Sequence, residues 1–170
     1  MRRFCRRTER AGAEVLADVH HGTFATAAIG LVLLVKFGCL AGMTPATAGA
    51  SVFAAVVAAR GWLPAAAAGA PPLRDSGMGA AFRAGCTRFA VAGGCLAACA
   101  GPMAALGWWG AGAAAAGGAA AGLAAWGLRR ALGGLNGDGY GACVEIGECA
   151  VLAAAAGFGG RLAPWGVFGW

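Results

Sequence analysis

Charge is what this chain has least of. Only 12% of its 170 residues are Asp, Glu, Lys or Arg, and Lys36 is its one lysine. An ordinary soluble domain carries about 25% charged residues. At 59% hydrophobic content and a mean hydropathy of +0.69, the chain has more apolar surface than one small core can hide. That balance excludes a disordered polypeptide, a soluble basic nucleic-acid binder and most water-soluble enzymes of this size. The familiar catalytic signatures are also missing. There is no Walker loop, no nucleophile elbow and no zinc-ligand spacing. Gly137-x-Gly139-x-Gly141 is glycine-rich, but no strand precedes it, so a dinucleotide site is excluded. Seven cysteines, most of them in apolar runs, do not make a disulfide framework and are read as small packing residues.

What is present are long uncharged runs. Twenty-three residues separate Lys36 from Arg60, and forty run from Phe89 to Leu128 without an ionisable acid or base. A bilayer-crossing helix needs about 20 apolar residues, so the longer run fits two crossings, with the turn at Gly107–Gly110. Gly42-Met43-Thr44-Pro45 breaks the first run in the same way. The fold class expected is all-α, a polytopic integral membrane bundle of about five helices: 24–42, 46–64, 88–107, 110–128 and 142–160. The alanine-rich 110–128 also fits a re-entrant or protein-buried segment. Thirty-two glycines and long alanine tracts permit close helix contact in a membrane. Trp62, Trp108, Trp109, Trp126 and Trp165 fall near the predicted ends, where indoles prefer the interface.

Sidedness follows from the arginines. Arg2, Arg3, Arg6, Arg7 and Arg10 precede the first span; Arg74, Arg83 and Arg88 follow the second; Arg129 and Arg130 follow the fourth. With five spans these groups share one face, which the positive-inside rule makes cytoplasmic. The N-terminus is expected inside. Residues 1–23 form a cytoplasmic basic amphipathic segment suited to anionic lipid, and 24–170 a single transmembrane domain. Glu9, Glu14 and Asp18 argue against a cleaved signal or transit peptide.

Four polar groups need a reason in so apolar a chain. Asp18-Val19-His20-His21-Gly22-Thr23-Phe24 leads into the first span, with Asp18 or Thr23 suited to cap it. Lys36 lies roughly 18 Å into that span at 1.5 Å per residue, where a lysine costs about 2.5–3.5 kcal/mol unless it faces protein or water. Arg60-Gly61-Trp62 closes the second span, and Pro71-Pro72-Leu73-Arg74-Asp75-Ser76-Gly77-Met78-Gly79 follows. Arginine forks at Arg60 and Arg74 match phosphate oxygens, although both also fit the positive-inside rule. Finally, Asn136-Gly137-Asp138-Gly139 reads as a turn before a helix carrying Glu145 and Glu148 on one face. Two carboxylates in an apolar helix repel one another and resist burial. A divalent cation relieves both penalties, and so would pairing with Arg129 or Arg130, with Asp138 as an N-cap. Carboxylates for a metal and cations for phosphates on one membrane face point to phosphoryl transfer on an amphiphilic substrate.

These segments resemble the adenosylcobinamide-GDP ribazoletransferase (cobalamin synthase) family. The likeness is carried by Asp18-x-His20-x-Gly22-Thr23-Phe24 with Lys36, by Arg60-x-Trp62, and by Arg74 with Gly77-x-Gly79-Ala80-x-Phe82. Its strongest part is Leu135-Asn136-Gly137-Asp138-x-x-Gly141-Ala142-x-x-Glu145-x-x-Glu148. It spans about residues 9–155. The resemblance implies an inner-membrane, multi-pass, magnesium-dependent enzyme of cobalamin assembly. Its substrates would be adenosylcobinamide-GDP and α-ribazole or its 5′-phosphate, and its product GMP. Asp138, Glu145 and Glu148 would be the catalytic and Mg²⁺-holding acids; Arg60, Arg74 and Lys36 would bind phosphate, or Lys36 would pair with one of the acids. An acidic Asp-Gly-x-x-Asp-x-x-Asp-Gly motif of the family has no counterpart before Arg10. The chain is therefore expected to match the family's C-terminal two thirds. The alternative function is an inactive, truncated membrane subunit or remnant, partnered by other corrinoid-pathway membrane proteins. A third is a small transporter using Lys36, Glu145 and Glu148, although the two halves show no inverted repeat.

Overall fold

The computed structural model describes residues 22–158. The expected amphipathic segment, the Asp18–His21 helix entry, Arg161 and Trp165 lie outside the described residues. Within them run six helices: α1 Thr23–Ala41, α2 Pro45–Ala68, α3 Met78–Gly85, α4 Arg88–Leu106, α5 Trp109–Leu132 and α6 Gly137–Phe158. All but the eight-residue α3 are long and apolar enough to cross a membrane. The protein is an all-helical bundle with five candidate spans, and 110–128 belongs to a full-length helix of 24 residues.

Local chemistry sets the helix ends. Thr44 caps α2, its Oγ1 accepting from the Thr47 amide at 3.3 Å with Pro45 in the first helical position, and Thr87 caps α4 through the Ala90 amide at 3.2 Å. Gly133 closes α5 in the left-handed conformation, φ 87°. Three boundaries differ from expectation, the first being the end of α5 at Leu132 rather than 128. α2 continues past Pro64 to Ala68, because a bundle neighbour supports a helix that proline would end in water. Trp62 therefore lies inside α2, not at the interface, and its Nε1 donates to the Ala114 carbonyl of α5 at 3.0 Å. α6 begins at Gly137, so Asn136-Gly137-Asp138-Gly139 is helix entry rather than a separate turn. Its cap is Asn136, whose Oδ1 accepts from the Gly139 amide at 2.8 Å, and not Asp138.

α2 is the central element, packed against α4, α5 and α6, while α5 lies along α6. The α2–α4 crossing brings backbones into contact: a Cβ on Gly61 would stand 2.6 Å from the Gly94 oxygen, and one on Gly94 would stand 2.5 Å from the Gly61 oxygen. Only paired glycines fit there, the small-residue packing that membrane interiors favour. α1 is different. It packs chiefly on α6 and has no buried residue, its aliphatic faces being left to lipid.

Two of the connecting segments meet at one end of the bundle. The Leu73 amide donates to Leu135 O at 2.8 Å, and the Leu135 amide to Pro71 O at 3.0 Å, a single parallel bridge that ties the α2–α3 loop to the α5–α6 turn. Gly134 makes this possible, since a Cβ there would meet Pro71 O at 2.8 Å. The two glycine-rich segments singled out in the sequence are thus on the same end, as the charge pattern required.

Candidate functional site

Position along each helix brings four charged side chains together within the bundle. Lys36 projects from α1, Arg60 from α2, and Glu145 and Glu148, one turn apart, from α6. Lys36 Nζ donates to Glu145 Oε2 at 2.6 Å and to Glu148 Oε2 at 2.5 Å, while Arg60 Nη1 donates to the other oxygen of Glu148 at 2.5 Å. The Glu148 and Lys36 side chains are only 10% and 21% exposed, whereas Glu145 and Arg60 are 48% and 57% exposed. Two cations and two anions cancel, so a group that would be expensive in a bilayer becomes tolerable. The glutamates do not pair with Arg129 or Arg130. Arg129 donates to Gly69 O at 2.8 Å, and Arg130 stacks on the Trp126 ring at 4.6 Å.

Beside this cluster opens a cleft of about 380 Å³ between α2, α3 and α6. Gly137, Gly141 and Glu145 form one helical stripe of its wall, Tyr140 and Val144 a second, and Arg60 and Leu63 face them from α2. Met78 and Phe82 of α3 close the side. The Phe82 and Tyr140 rings pack at 5.3 Å with a 54° tilt. The Tyr140 hydroxyl is buried and has no hydrogen-bond partner among the described residues.

The sequence-predicted residues divide accordingly. Arg60 and Glu145 line the cleft; Glu148 and Lys36 stand behind them. Asp138 is in the first turn of α6, its Oδ2 accepting from the Asn136 side-chain Nδ2 at 3.2 Å, seven residues from Glu145. Arg74 is exposed on the bridged loop and does not line the cleft. Among the described residues no three acid, histidine or cysteine side chains are arranged to hold a metal. Glu148 has both oxygens engaged by cations, so Asp138, Glu145 and Glu148 do not form a ready-made magnesium centre.

Sequence reasoning gave Phe82 and Tyr140 no part in the site and used Arg83 only for sidedness. Phe82 and Tyr140 are 58 positions apart, and only packing makes them neighbours; the stripe of Tyr140, Val144 and Glu148 at fourfold spacing was the available signal. Arg83 donates to Ala70 O at 3.3 Å and Ala68 O at 3.1 Å, and with Arg129 it satisfies the carbonyls that the end of α2 leaves open. Outside the spans, burial pushes the Cys86 thiol above its usual pKa, and nearby Arg83 pulls it partly back.

A family model described as CobS, cobalamin-5-phosphate synthase, matches residues 3–156. The chain belongs to that family. Membership gives the cobalamin synthase relative a place in cobalamin biosynthesis and, at family level, a transferase role. No similar chain was found among curated proteins or among solved structures.

Proposed function

We propose that the chain transfers the adenosylcobinamide phosphate moiety of adenosylcobinamide-GDP to α-ribazole or its 5′-phosphate, releasing GMP. The observation that carries this is the cleft in which Arg60 and Glu145 face one another beside the two glycine-rich segments. A ribose hydroxyl of the acceptor attacks the phosphorus on the cobinamide side; the bond from that phosphorus to the bridging oxygen breaks, and GMP leaves. The attacking hydroxyl gives its proton to Glu145, the carboxylate that opens onto the cleft. Arg60 holds a phosphate oxygen with donors not spent on Glu148, and Arg74 adds a second positive charge from the loop. Lys36 and Glu148 keep Arg60 and Glu145 in place. Magnesium belongs to the same proposal, because it binds through one or two carboxylates together with substrate phosphates and water. No step is assigned to it. The site would face the cytoplasm of a cell's inner membrane, with the N-terminus inside, on the arginine distribution alone.

One observation favours a second reading. The four charges satisfy one another and fasten α1 and α2 to α6 without a ligand, as a non-catalytic membrane subunit of the corrinoid pathway would need. The test is release of GMP from adenosylcobinamide-GDP and α-ribazole phosphate by the purified, folded chain, with and without Mg²⁺. Magnesium-dependent release supports the transferase. No release under either condition overturns it in favour of the subunit.

A further inference from the structure

A second concavity shares no residue with the cleft of Arg60 and Glu145. It is a groove of about 170 Å³ between α2 and α5, lined by Ala66 and Gly69 on one side and by Gly122, Ala125, Trp126 and Arg129 on the other. Trp126 and its neighbour Leu123 are exposed, so the groove opens on the lipid side of the bundle. Gly122 and Arg129 are seven residues apart, roughly 10 Å at 1.5 Å per residue. The groove therefore runs from an arginine and an indole at the interface down into the hydrocarbon. Usual ligand sites hold about 300–1,000 Å³; this one is too small for a folded soluble ligand and suits a stretch of one extended hydrocarbon chain.

The mouth of the groove is positive. Arg129 donates Nη1 to Gly69 O at 2.8 Å, which fixes its guanidinium over the end of α2 and leaves Nη2 and Nε without partners among the described residues. Arg130 lies over the Trp126 ring at 4.6 Å, a second cation beside the first. The open carbonyls of α2 do not consume this charge, because Arg83 already serves Ala68 and Ala70. Neither α2 nor α5 contains an Asp or Glu, and no ion pair among the described residues includes either arginine.

We propose that this groove holds an anionic phospholipid, its phosphate on the free donors of Arg129 and the upper part of one acyl chain along Gly122 and Ala125. Arg130 adds charge at the mouth and steadies the indole. A zwitterionic headgroup would bring an ammonium into the same space, where two guanidinium groups repel it and no carboxylate receives it.

The experiment places the full chain in phosphatidylcholine nanodiscs with a minor share of phosphatidylglycerol brominated in its acyl chains. Brominated phosphatidylcholine at the same share is the reference. Bromine quenches tryptophan at short range, and the difference between the parent and Trp126→Phe isolates the indole of the groove. Phosphatidylglycerol is expected to be enriched there roughly fivefold over phosphatidylcholine, the effect of about one arginine at an anionic surface. Arg129→Gln should bring the two lipids to parity. Gly122→Leu tests the groove without touching a charge: a Cβ at 122 meets nothing within 4 Å, so the bundle accepts it while the longer side chain occupies the groove. It should remove most of the enrichment and leave denaturant unfolding unchanged. Equal quenching by both lipids in the parent overturns the proposal. So does enrichment that survives Gly122→Leu, which would make the arginines an unspecific surface charge. Loss of the enrichment to excess inorganic phosphate at constant ionic strength would reveal a site for the free anion, and overturns it as well. None of these outcomes bears on the transferase reading, whose residues lie in the other cleft.

Discussion

Replacing Lys36 by methionine removes the one group that joins both glutamates. Glu148 is nine-tenths buried and Lys36 about four-fifths. Deleting one partner of a buried ion pair costs about 3–5 kcal/mol, chiefly because a charge is left without compensation. Two features reduce the cost here. Arg60 still holds the second oxygen of Glu148, and Glu145, half exposed, turns toward the cleft, where an ion pair is worth only about 0–1 kcal/mol. The expected destabilisation is therefore about 3 kcal/mol, on the order of a hundredfold in the folding equilibrium. α1 should suffer first, since it packs chiefly on α6 and has no fully buried residue. Denaturant unfolding in mixed micelles, followed by tryptophan fluorescence, gives the magnitude. Cross-linking of Val32→Cys to Cys149, whose Sγ is 4.0 Å from the Val32 carbonyl, reports whether α1 stays on α6. The decisive comparison is Lys36→Met with Glu148→Gln. If an unpaired carboxylate is the cause, the double variant recovers part of the stability lost by the single one. A Lys36→Met chain within about 0.5 kcal/mol of the parent, with cross-linking intact, would refute the account, that being the range of an ordinary surface substitution.

Gly134→Ala should break the bridge between the two loops, because its Cβ would stand 2.8 Å from Pro71 O and 2.9 Å from the Leu73 nitrogen. Hydrogen exchange should show the Leu73 and Leu135 amides losing protection while the spans keep theirs; protected amides would contradict the close approach. Cys86 should alkylate through a pH midpoint above that of a free thiol, since burial disfavours its thiolate and its Sγ donates to Phe82 O at 3.2 Å. Arg83→Gln should move that midpoint higher still, and peptide mass spectrometry across pH measures both; a midpoint at or below the free value would count against it.

Most of the bundle could be read from where charge is absent, because a span must be long and uncharged whatever it packs against. The elements misread were those decided by neighbours. Pro64 ends a helix in isolation, but α2 has α4 beside it and continues. Asn136 and Asp138 both suit a cap, and only the bond to the Gly139 amide distinguishes them. α3 is eight residues within a Pro- and Gly-rich stretch, too short to show a periodic signal. At the site, Lys36, Glu145 and Glu148 were conspicuous because an intramembrane charge needs a partner. Which partner each takes was not legible: Arg60 was placed at a helix end and lies two turns inside it. The aromatic pair had no signature beyond the fourfold spacing of Tyr140, Val144 and Glu148, since Phe82 meets Tyr140 only through the docking of α3 on α6.

The order of the charges along the chain has a consequence for how the protein is made. Lys36 lies 109 residues ahead of Glu145, and Arg60 lies 88 ahead of Glu148. At about 5–20 residues per second, a ribosome takes roughly 5–20 s to deliver the acidic helix after the basic ones. For that interval the two cationic helices lack the carboxylates with which they pair in the folded bundle. Because α1 packs chiefly on α6, its final place exists only once the last span has been made.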